Sequence, residues 1–136
     1  MNYFLAKSEP QTYSIGDLEK DRNTVWDGVK NAQALKAIRM MKKGDRVFIY
    51  HSGGESRVVG LAEVRLDARP DPKDSKLTVV DLSFLRRLEP GVGLAEVKQS
   101  GLFADFALVR QGRLSTMAVP ASFVEFVRQR HPGVKI

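Results

Sequence analysis

The sequence contains no cysteine among its 136 residues. Disulfides, zinc–thiolate sites and thiol nucleophiles are therefore excluded, and a soluble protein of the reducing cytoplasm is expected. Histidine is nearly as scarce, with only His51 and His131. No further ligand lies near His51 in the sequence, and His131 lies in the tail, where we expect it to be exposed. The sequence thus predicts neither a metal site nor a cofactor.

Long hydrophobic runs are also missing, so no segment is expected to span a membrane. The first seven residues lack a basic region followed by an apolar run, which argues against a secretory signal. No P-loop, dinucleotide-binding glycine motif, HExxH motif or nucleophile elbow is present. A triad assembled in space stays open, but the sequence favours a protein without catalytic activity.

Acidic residues are outnumbered: 16 Asp and Glu stand against 22 Lys and Arg, which gives a formal net charge of +6. Positive charge concentrates polyanions, so nucleic acid is the first partner to consider and an anionic membrane surface the second. Solubility alone is an alternative explanation. With 43% hydrophobic and 28% charged residues, we expect one folded domain over residues 1–136. No apolar surface stripe indicates an interface, so a monomer is expected.

The pattern of apolar residues predicts several strands with short helices between them. Strands are predicted over 3–7, 46–52, 58–66, 77–88 and 114–119. Helices are predicted around 15–19, over 31–43 and 94–99, and from 120 onward. Residues 20–23 are predicted as a loop, and the prolines within 70–72 and 89–91 are expected to end strands. Because the middle strands lack intervening helices, we predict an α+β domain on a curved, barrel-like sheet.

Polar and aromatic residues cluster at the ends of the predicted strands. These clusters are Lys7-Ser8-Glu9, the segment from Trp26 to Asn31, Tyr50-His51-Ser52, and Arg113-Leu114-Ser115. Strand ends can line one mouth of a barrel. A base-binding pocket needs this mixture, since aromatic faces stack on the base while fixed donors and acceptors read its edge. Glycine at Gly28 would let the backbone approach closely.

Each of these residues also has a simpler explanation. Trp26 can be a core anchor, Asn31 only the N-cap of the long helix, and His51 a hydrogen-bonded structural residue. Surface ion pairs of little energetic weight would account for Lys7 and Arg113. Spacing and composition alone leave a pocket plausible and no more.

A basic face is predicted on the long helix, where Lys36, Arg39 and Lys43 recur together. This face is a candidate for contact with the phosphate backbone of a nucleic acid. A solvated charged face is the commoner explanation of such a pattern.

Seven blocks that occur in order along the chain resemble the EVE-domain family of the PUA-like superfamily. They are YFLAKSEP (3–10), YSIGDL (13–18), WDGVKNAQA (26–34), MKKGDRVFIYHS (41–52), GLAEV (60–64), ARPDP (68–72) and RLSTMAVP (113–120). The resemblance implies a PUA-like fold, a curved β-barrel surrounded by short helices. It also implies similarity to YTH domains, which hold a methylated base in an aromatic cage.

By this resemblance the chain would be a non-catalytic reader of a modified base, above all modified cytosine in DNA. An RNA-binding module and an enzyme acting on a nucleotide or other small molecule are the alternatives. The resemblance places the base near Trp26. The candidate binding residues are Lys7, Ser8, Glu9, Trp26, Gly28, Val29, Asn31, Tyr50, His51, Ser52, Arg113, Leu114 and Ser115.

The chain departs from the family pattern at two places. Ala32 stands where relatives often carry an aromatic residue, and this change is expected to narrow the aromatic wall of the pocket. Arg69-Pro70 stands at a position that is commonly aromatic followed by proline, where an effect on packing is expected. Both departures bear on which ligand the chain prefers.

Overall fold

A computed structural model describes residues 1–136 and has a mixed α+β architecture, as predicted. The strands are β1 (Tyr3–Ser8), β2 (Asn23–Trp26), β3 (Arg46–His51), β4 (Arg57–Asp71), β5 (Asp74–Gly93) and β6 (Thr116–Ala118). The helices are α1 (Ile15–Asp21), α2 (Ala32–Arg39), α3 (Leu94–Gln99), α4 (Ala107–Arg110) and α5 (Ala121–Arg130). None of these helices combines the length and apolar composition that crossing a bilayer requires.

The six strands form one sheet in the order β2-β5-β4-β3-β1-β6. Strands β1 and β3 are parallel, and every other neighbouring pair is antiparallel. The predicted barrel is wrong in one respect, because the sheet is not closed. Its edge strands β2 and β6 have only 4 and 3 residues, and they do not pair with each other. The sheet therefore ends in two short, separate edges.

The strands of the long β4–β5 hairpin contain two of the three prolines that were predicted to end strands, Pro70 and Pro90, while β4 ends just before the third, Pro72. Pro70 lies opposite Thr78 near the turn, at a point where the strand register shifts. Pro90 follows a cis peptide bond and lies in a bulge, where β5 residues 88–91 stand opposite Val59 alone. Because proline lacks an N–H group, it is tolerated where the ladder of hydrogen bonds is already irregular.

Local sequence signals placed helix α1 and the start of helix α2 correctly, while α4 was not predicted. Ser14 accepts a hydrogen bond from the Asp17 N–H, and the Asp17 carboxylate accepts one from the Ser14 N–H, which is the predicted capping box. Helix α2 ends at Arg39, earlier than predicted, with Asn31 as its N-cap. The predicted stripe on this helix is buried, with Ala34, Leu35, Ile38 and Met41 all in the core.

The hydrophobic core has two parts. One part, which we call the aromatic core, is built around Phe48, Phe103, Phe106, Phe123 and Phe126. Its rings pack against each other with centroid distances from 4.9 to 6.3 Å. The other part is mostly aliphatic and lies under α1 and β2, where Trp26 and Tyr13 pack against it.

His131 is buried, with 6% of its surface exposed, so the predicted exposed position in the tail is wrong. The chain folds back after α5: the His131 N–H donates to Arg128 O, and the Val134 N–H donates to His131 O. The last residue is also tied to β1, because the Tyr3 hydroxyl donates to the backbone oxygen of Ile136. These contacts draw the tail onto the body of the fold.

Candidate functional site

A cavity of about 550 Å³ opens between β2 and the ends of β1 and β6. In the sheet order, β2 lies at one edge and β6 at the other, next to β1. Residues of β2 and Ser115, which directly precedes β6, line the same cavity, so the sheet curls enough to bring its two edges near each other. The lining residues are Lys7, Ser8, Thr12, Tyr13, Thr24, Val25, Trp26, Asp27, Gly28, Val29, Lys30, Asn31 and Ser115.

Two aromatic rings, Trp26 and Tyr13, form one wall of this cavity. Their centroids are 6.3 Å apart and their planes make an angle of 79°. Both side chains are half-buried. Burial raises the pKa of Tyr13, and its hydroxyl donates a hydrogen bond to Asp21 Oδ2 at 2.9 Å. The ring is therefore held as a neutral phenol whose polar end is already occupied.

The opposite wall carries an ammonium group at the end of β1. Lys7 Nζ donates to Gly112 O at 3.0 Å and lies 5.5 Å from the centre of the Tyr50 ring. No carboxylate pairs with it. Burial lowers the pKa of Lys7, because desolvation disfavours its charged form. The group is thus a donor with unused capacity beside the cavity.

Ser8 and Asn31 hold the cavity walls in place. Ser8 Oγ donates to the backbone oxygen of Tyr13 at 2.6 Å and so fixes the loop that carries this ring. Asn31 Oδ1 accepts the Ala34 N–H at 3.0 Å, which confirms that Asn31 is the N-cap of α2. Asn31 is therefore both the N-cap of α2 and a lining residue of the cavity.

The segment between β2 and α2 turns at Gly28. This glycine has a φ of +77°, in the left-handed region that residues with a side chain rarely adopt. The turn brings Asp27, Val29 and Lys30 to the rim of the cavity. The glycine in the WDGVKN block is therefore required by the backbone conformation.

Six of the predicted binding residues do not line this cavity, and two of the six, Arg113 and Leu114, line a neighbouring one. Glu9 is exposed, Ser52 is half-buried, and Tyr50 and His51 are buried beside β1, where β3 pairs in parallel. None of them is among the lining residues. Val29 does line the cavity, as predicted.

His51 has a structural position behind the site. Its Nε2 accepts the Ile15 N–H at 3.0 Å, and its Nδ1 lies 2.5 Å from Glu55 Oε1. Since Nε2 accepts a hydrogen bond, the ring proton is on Nδ1 and is donated to Glu55. His51 thereby fixes the first turn of α1, close to the loop that carries Tyr13.

Arg113 and Leu114 line a second, neighbouring cavity of about 330 Å³. This cavity also contains Gln33, Gln111, Gly112 and Asn31, and Asn31 is common to both cavities. The bond between Lys7 and Gly112 O joins the walls of the two. Arg113 is exposed and forms no ion pair, so its guanidinium is free to meet an anion.

The basic residues predicted on the long helix lie away from both cavities. Lys36, Arg39 and Lys43 are exposed, and none of them is a lining residue. No group of three or more His, Asp or Glu side chains is placed to hold a metal ion.

The two departures from the family pattern also lie outside the cavity. Ala32 is the exposed first residue of α2 and does not contribute to the aromatic wall. Arg69 forms an ion pair with the buried Asp81, with a distance of 2.6 Å between Nη1 and Oδ2. The second departure is therefore compensated locally on the β4–β5 hairpin.

Sequence reasoning missed several of the lining residues, namely Thr12, Tyr13, Thr24, Val25, Asp27 and Lys30. A signal was present for three of them. Tyr13 opens the YSIGDL block, while Asp27 and Lys30 lie inside WDGVKN. Thr24 and Val25 belong to β2, a strand that the sequence analysis did not predict.

Comparison with known proteins identifies the family. The family model of the EVE domain matches residues 2–130. Human thymocyte nuclear protein 1 is 29% identical over 162 residues, which cover 93% of this chain and 72% of that protein. The structure of Rpa0253 from Rhodopseudomonas palustris has a TM-score of 0.91 at 34% identity and covers 100% of this chain and 97% of that one.

A second solved structure is that of human THYN1 in complex with DNA containing 5-methylcytosine. It superimposes with a TM-score of 0.88 at 26% identity, covering 99% of this chain and 100% of that chain. Both solved structures thus share the fold along nearly the whole of this chain. The chain is homologous to thymocyte nuclear protein 1 and belongs to the EVE-domain family.

Proposed function

We propose that this chain is a non-catalytic nucleic-acid-binding domain that holds one modified base, a modified cytosine of DNA, in the cavity beside Trp26. The observation that carries the proposal is the cavity itself. It combines an aromatic wall of Trp26 and Tyr13 with the polar groups of Lys7, Asn31 and Ser115.

The dimensions and chemistry of the cavity suit a single base. Its volume of about 550 Å³ is typical of small-molecule sites, which occupy roughly 300–1,000 Å³. Stacking of a base on an aromatic ring contributes about 1–3 kcal/mol. A base inside a duplex cannot reach a cavity of this kind, so binding to double-stranded DNA would require the base to flip out of the stack.

The neighbouring cavity offers a place for the sugar–phosphate backbone of the nucleic acid next to that base. Arg113 is exposed there without an ion-pair partner, and Gln33 and Gln111 supply further polar groups. The net charge of +6 would add a general attraction for phosphates. The complex of human THYN1 with 5-methylcytosine-containing DNA supports the choice of modified DNA, since its fold matches along the whole chain.

The chain carries its own reporter for the experiment, because Trp26 is its only tryptophan. Titration with otherwise identical oligonucleotides containing cytosine or 5-methylcytosine should quench its fluorescence, more strongly for the modified base. A labelled oligonucleotide would follow the Trp26→Ala variant, which should lose the binding. Phe84→Ala is the matched control, because it removes a half-buried ring on β5 that does not line the cavity. Unchanged affinity in a folded Trp26→Ala protein would refute the proposal.

RNA binding is the second candidate, because a flipped or single-stranded base of RNA suits the same aromatic and polar groups. Side-by-side titration of DNA and RNA of the same sequence at one salt concentration separates the two. A single domain, a monomeric state and a cytoplasmic location remain predictions from the sequence.

A further inference from the structure

The cavity contains an acidic side chain that general nucleic-acid binding does not explain. Asp27 is exposed at the cavity wall and takes part in none of the ion pairs of the chain. A free carboxylate repels the phosphates of a polyanion. Its place in a basic protein, directly after the stacking residue Trp26, therefore indicates a partner that donates hydrogen bonds.

The orientation of the Asn31 amide is fixed by the helix that it caps. Because Oδ1 accepts the Ala34 N–H at 3.0 Å, the amide nitrogen is the end that remains available. This nitrogen makes no hydrogen bond within the chain, and Asn31 lines the same cavity as Asp27. Asn31 consequently presents donors to a ligand, while Asp27 presents only acceptors.

Two hydroxyl groups near these two residues already have hydrogen-bond partners within the chain. The Ser8 hydroxyl donates to the backbone oxygen of Tyr13, and the Tyr13 hydroxyl donates to Asp21. Lys7 already donates one hydrogen bond to Gly112 O. Asp27 therefore offers an unused acceptor in the cavity and Asn31 an unused amide donor, while the ammonium groups of Lys7 and Lys30 are further donors there.

We infer that Asp27 and Asn31 make the cavity selective for a base that carries an exocyclic amine beside a ring-nitrogen acceptor. The inference rests on the proposed function, since it requires a base in the cavity. Cytosine has this edge, with its N4 amine next to N3, and an amine-accepting carboxylate is a known means of reading it. Thymine presents the opposite pattern, an O4 acceptor next to an N3–H donor. Its O4 would face the Asp27 carboxylate, which also only accepts, and its N3–H would face the Asn31 amide donors.

The sharpest probe is the pair 5-methylcytosine and thymine, because the two bases share the 5-methyl group and ring size and differ only at the N3–C4 edge. Single-stranded oligonucleotides that differ at this one base avoid the cost of breaking a base pair. The wild-type chain should bind the 5-methylcytosine strand roughly tenfold more tightly than the thymine strand. Equal affinities would overturn the inference.

Two variants test the two residues. One is nearly isosteric with Asp27, and the other preserves the helix cap at Asn31. The new amide in Asp27→Asn can donate as well as accept, so the ratio of the affinities for the 5-methylcytosine and thymine strands should fall to about one. Asn31→Ser retains a good N-cap but removes the amide donors, so the preference should fall while thermal stability changes little. Asp74→Asn, at the distant tip of the β4–β5 hairpin, makes the same change in net charge and should leave the preference intact.

The outcomes separate this inference from the proposed function. If neither strand binds the wild-type chain, the proposed function itself fails. If both strands bind equally and Trp26→Ala abolishes both, a base enters the cavity but Asp27 and Asn31 do not select it. If Asp27→Asn strengthens binding of both strands by the same factor, the carboxylate acts only by repulsion, and the inference is overturned.

Discussion

Two groups of aromatic rings in this chain differ in what surrounds them. In the aromatic core, Phe123 contacts the rings of Phe48, Phe103, Phe106 and Phe126 and is fully buried. At the cavity, Trp26 pairs with one ring only, and both members of the pair are half-buried. The centroid distance of 6.3 Å in that pair also occurs in the core, so spacing does not distinguish the regions.

The two groups differ in how many of their ring faces are already covered by other side chains. A ring surrounded by other rings stabilises the fold and has nothing left to offer a ligand. A half-buried ring beside free donors and acceptors keeps a face for stacking. Loss of a ring should therefore reduce stability in one region and binding in the other.

The largest effect is expected for Phe123→Ala. Removing a fully buried ring leaves a cavity in the core, and such changes cost about 3–5 kcal/mol of unfolding free energy. Denaturant unfolding followed through Trp26 fluorescence measures this loss. Trp26→Ala, followed by circular dichroism, should cost clearly less. A larger loss for Trp26→Ala would erase the distinction between the two regions.

The next effect concerns Tyr13, the partner of Trp26. Tyr13→Ala should weaken binding of a modified-base oligonucleotide by roughly tenfold, because stacking contributes about 1–3 kcal/mol per base. Tyr13→Phe should bind nearly as the wild type does, since the hydroxyl is already engaged with Asp21. Equal losses in both variants would show that the hydroxyl, and not the ring face, contacts the base.

A smaller effect is expected at Arg113, in the neighbouring cavity. Arg113→Ala should lower affinity for all oligonucleotides alike and reduce the slope of log K against log salt by about one unit. The ratio of affinities for modified and unmodified DNA should stay the same. Lys98→Ala on α3 is the control. The same change at Lys36 or Arg39 of α2, or at Lys43 beyond its end, tests the basic face predicted from the sequence. A changed ratio would place Arg113 at the base instead.

The smallest effect is a dependence on pH. Burial lowers the pKa of Lys7 below its usual 10.5, so its positive charge is lost earlier as pH rises. As pH rises, affinity for nucleic acid should therefore begin to fall at a lower pH than it would if this lysine were fully exposed. Lys7→Arg, whose guanidinium stays charged, should remove this early decline. Identical pH profiles for the two proteins would contradict the role of Lys7.

The sign for stability is opposite to the sign for binding. Between the lowered pKa in the folded state and the ordinary pKa in the unfolded state, the unfolded chain binds more protons at Lys7. The contribution of this residue to folding stability therefore rises with pH across that interval.

The sequence alone predicted those parts of the fold that depend on local signals. The Ser14 capping box, the buried stripe of α2 and the strand β3 all follow from residues a few positions apart. Strand β2 was missed because its four residues alternate only weakly, and its pairing with β5 joins residues about 60 positions apart in the chain. Proline was overrated as a breaker, since the bulge around Pro90 depends on the register with β4.

The lining of the cavity was predicted in part for the same reason. Trp26, Gly28 and Asn31 lie within one short block, and the structure brings them to the cavity together with Lys7, Ser8 and Ser115. The position of His51 depends on a contact with Ile15, 36 residues away, which no local pattern reveals. The open edges of the sheet depend on strand lengths and pairing, which composition does not determine.

The unpaired edges of the sheet have a consequence for how such a cavity can change in evolution. Strand β2 and Ser115, the residue before β6, line the same cavity, while β2 and β6 do not pair with each other. The segment around Gly28 follows β2 and also lines the cavity. Substitutions or insertions in that segment can widen or narrow the opening without breaking a single rung of the sheet. The selectivity of the opening can therefore be retuned while the scaffold stays the same.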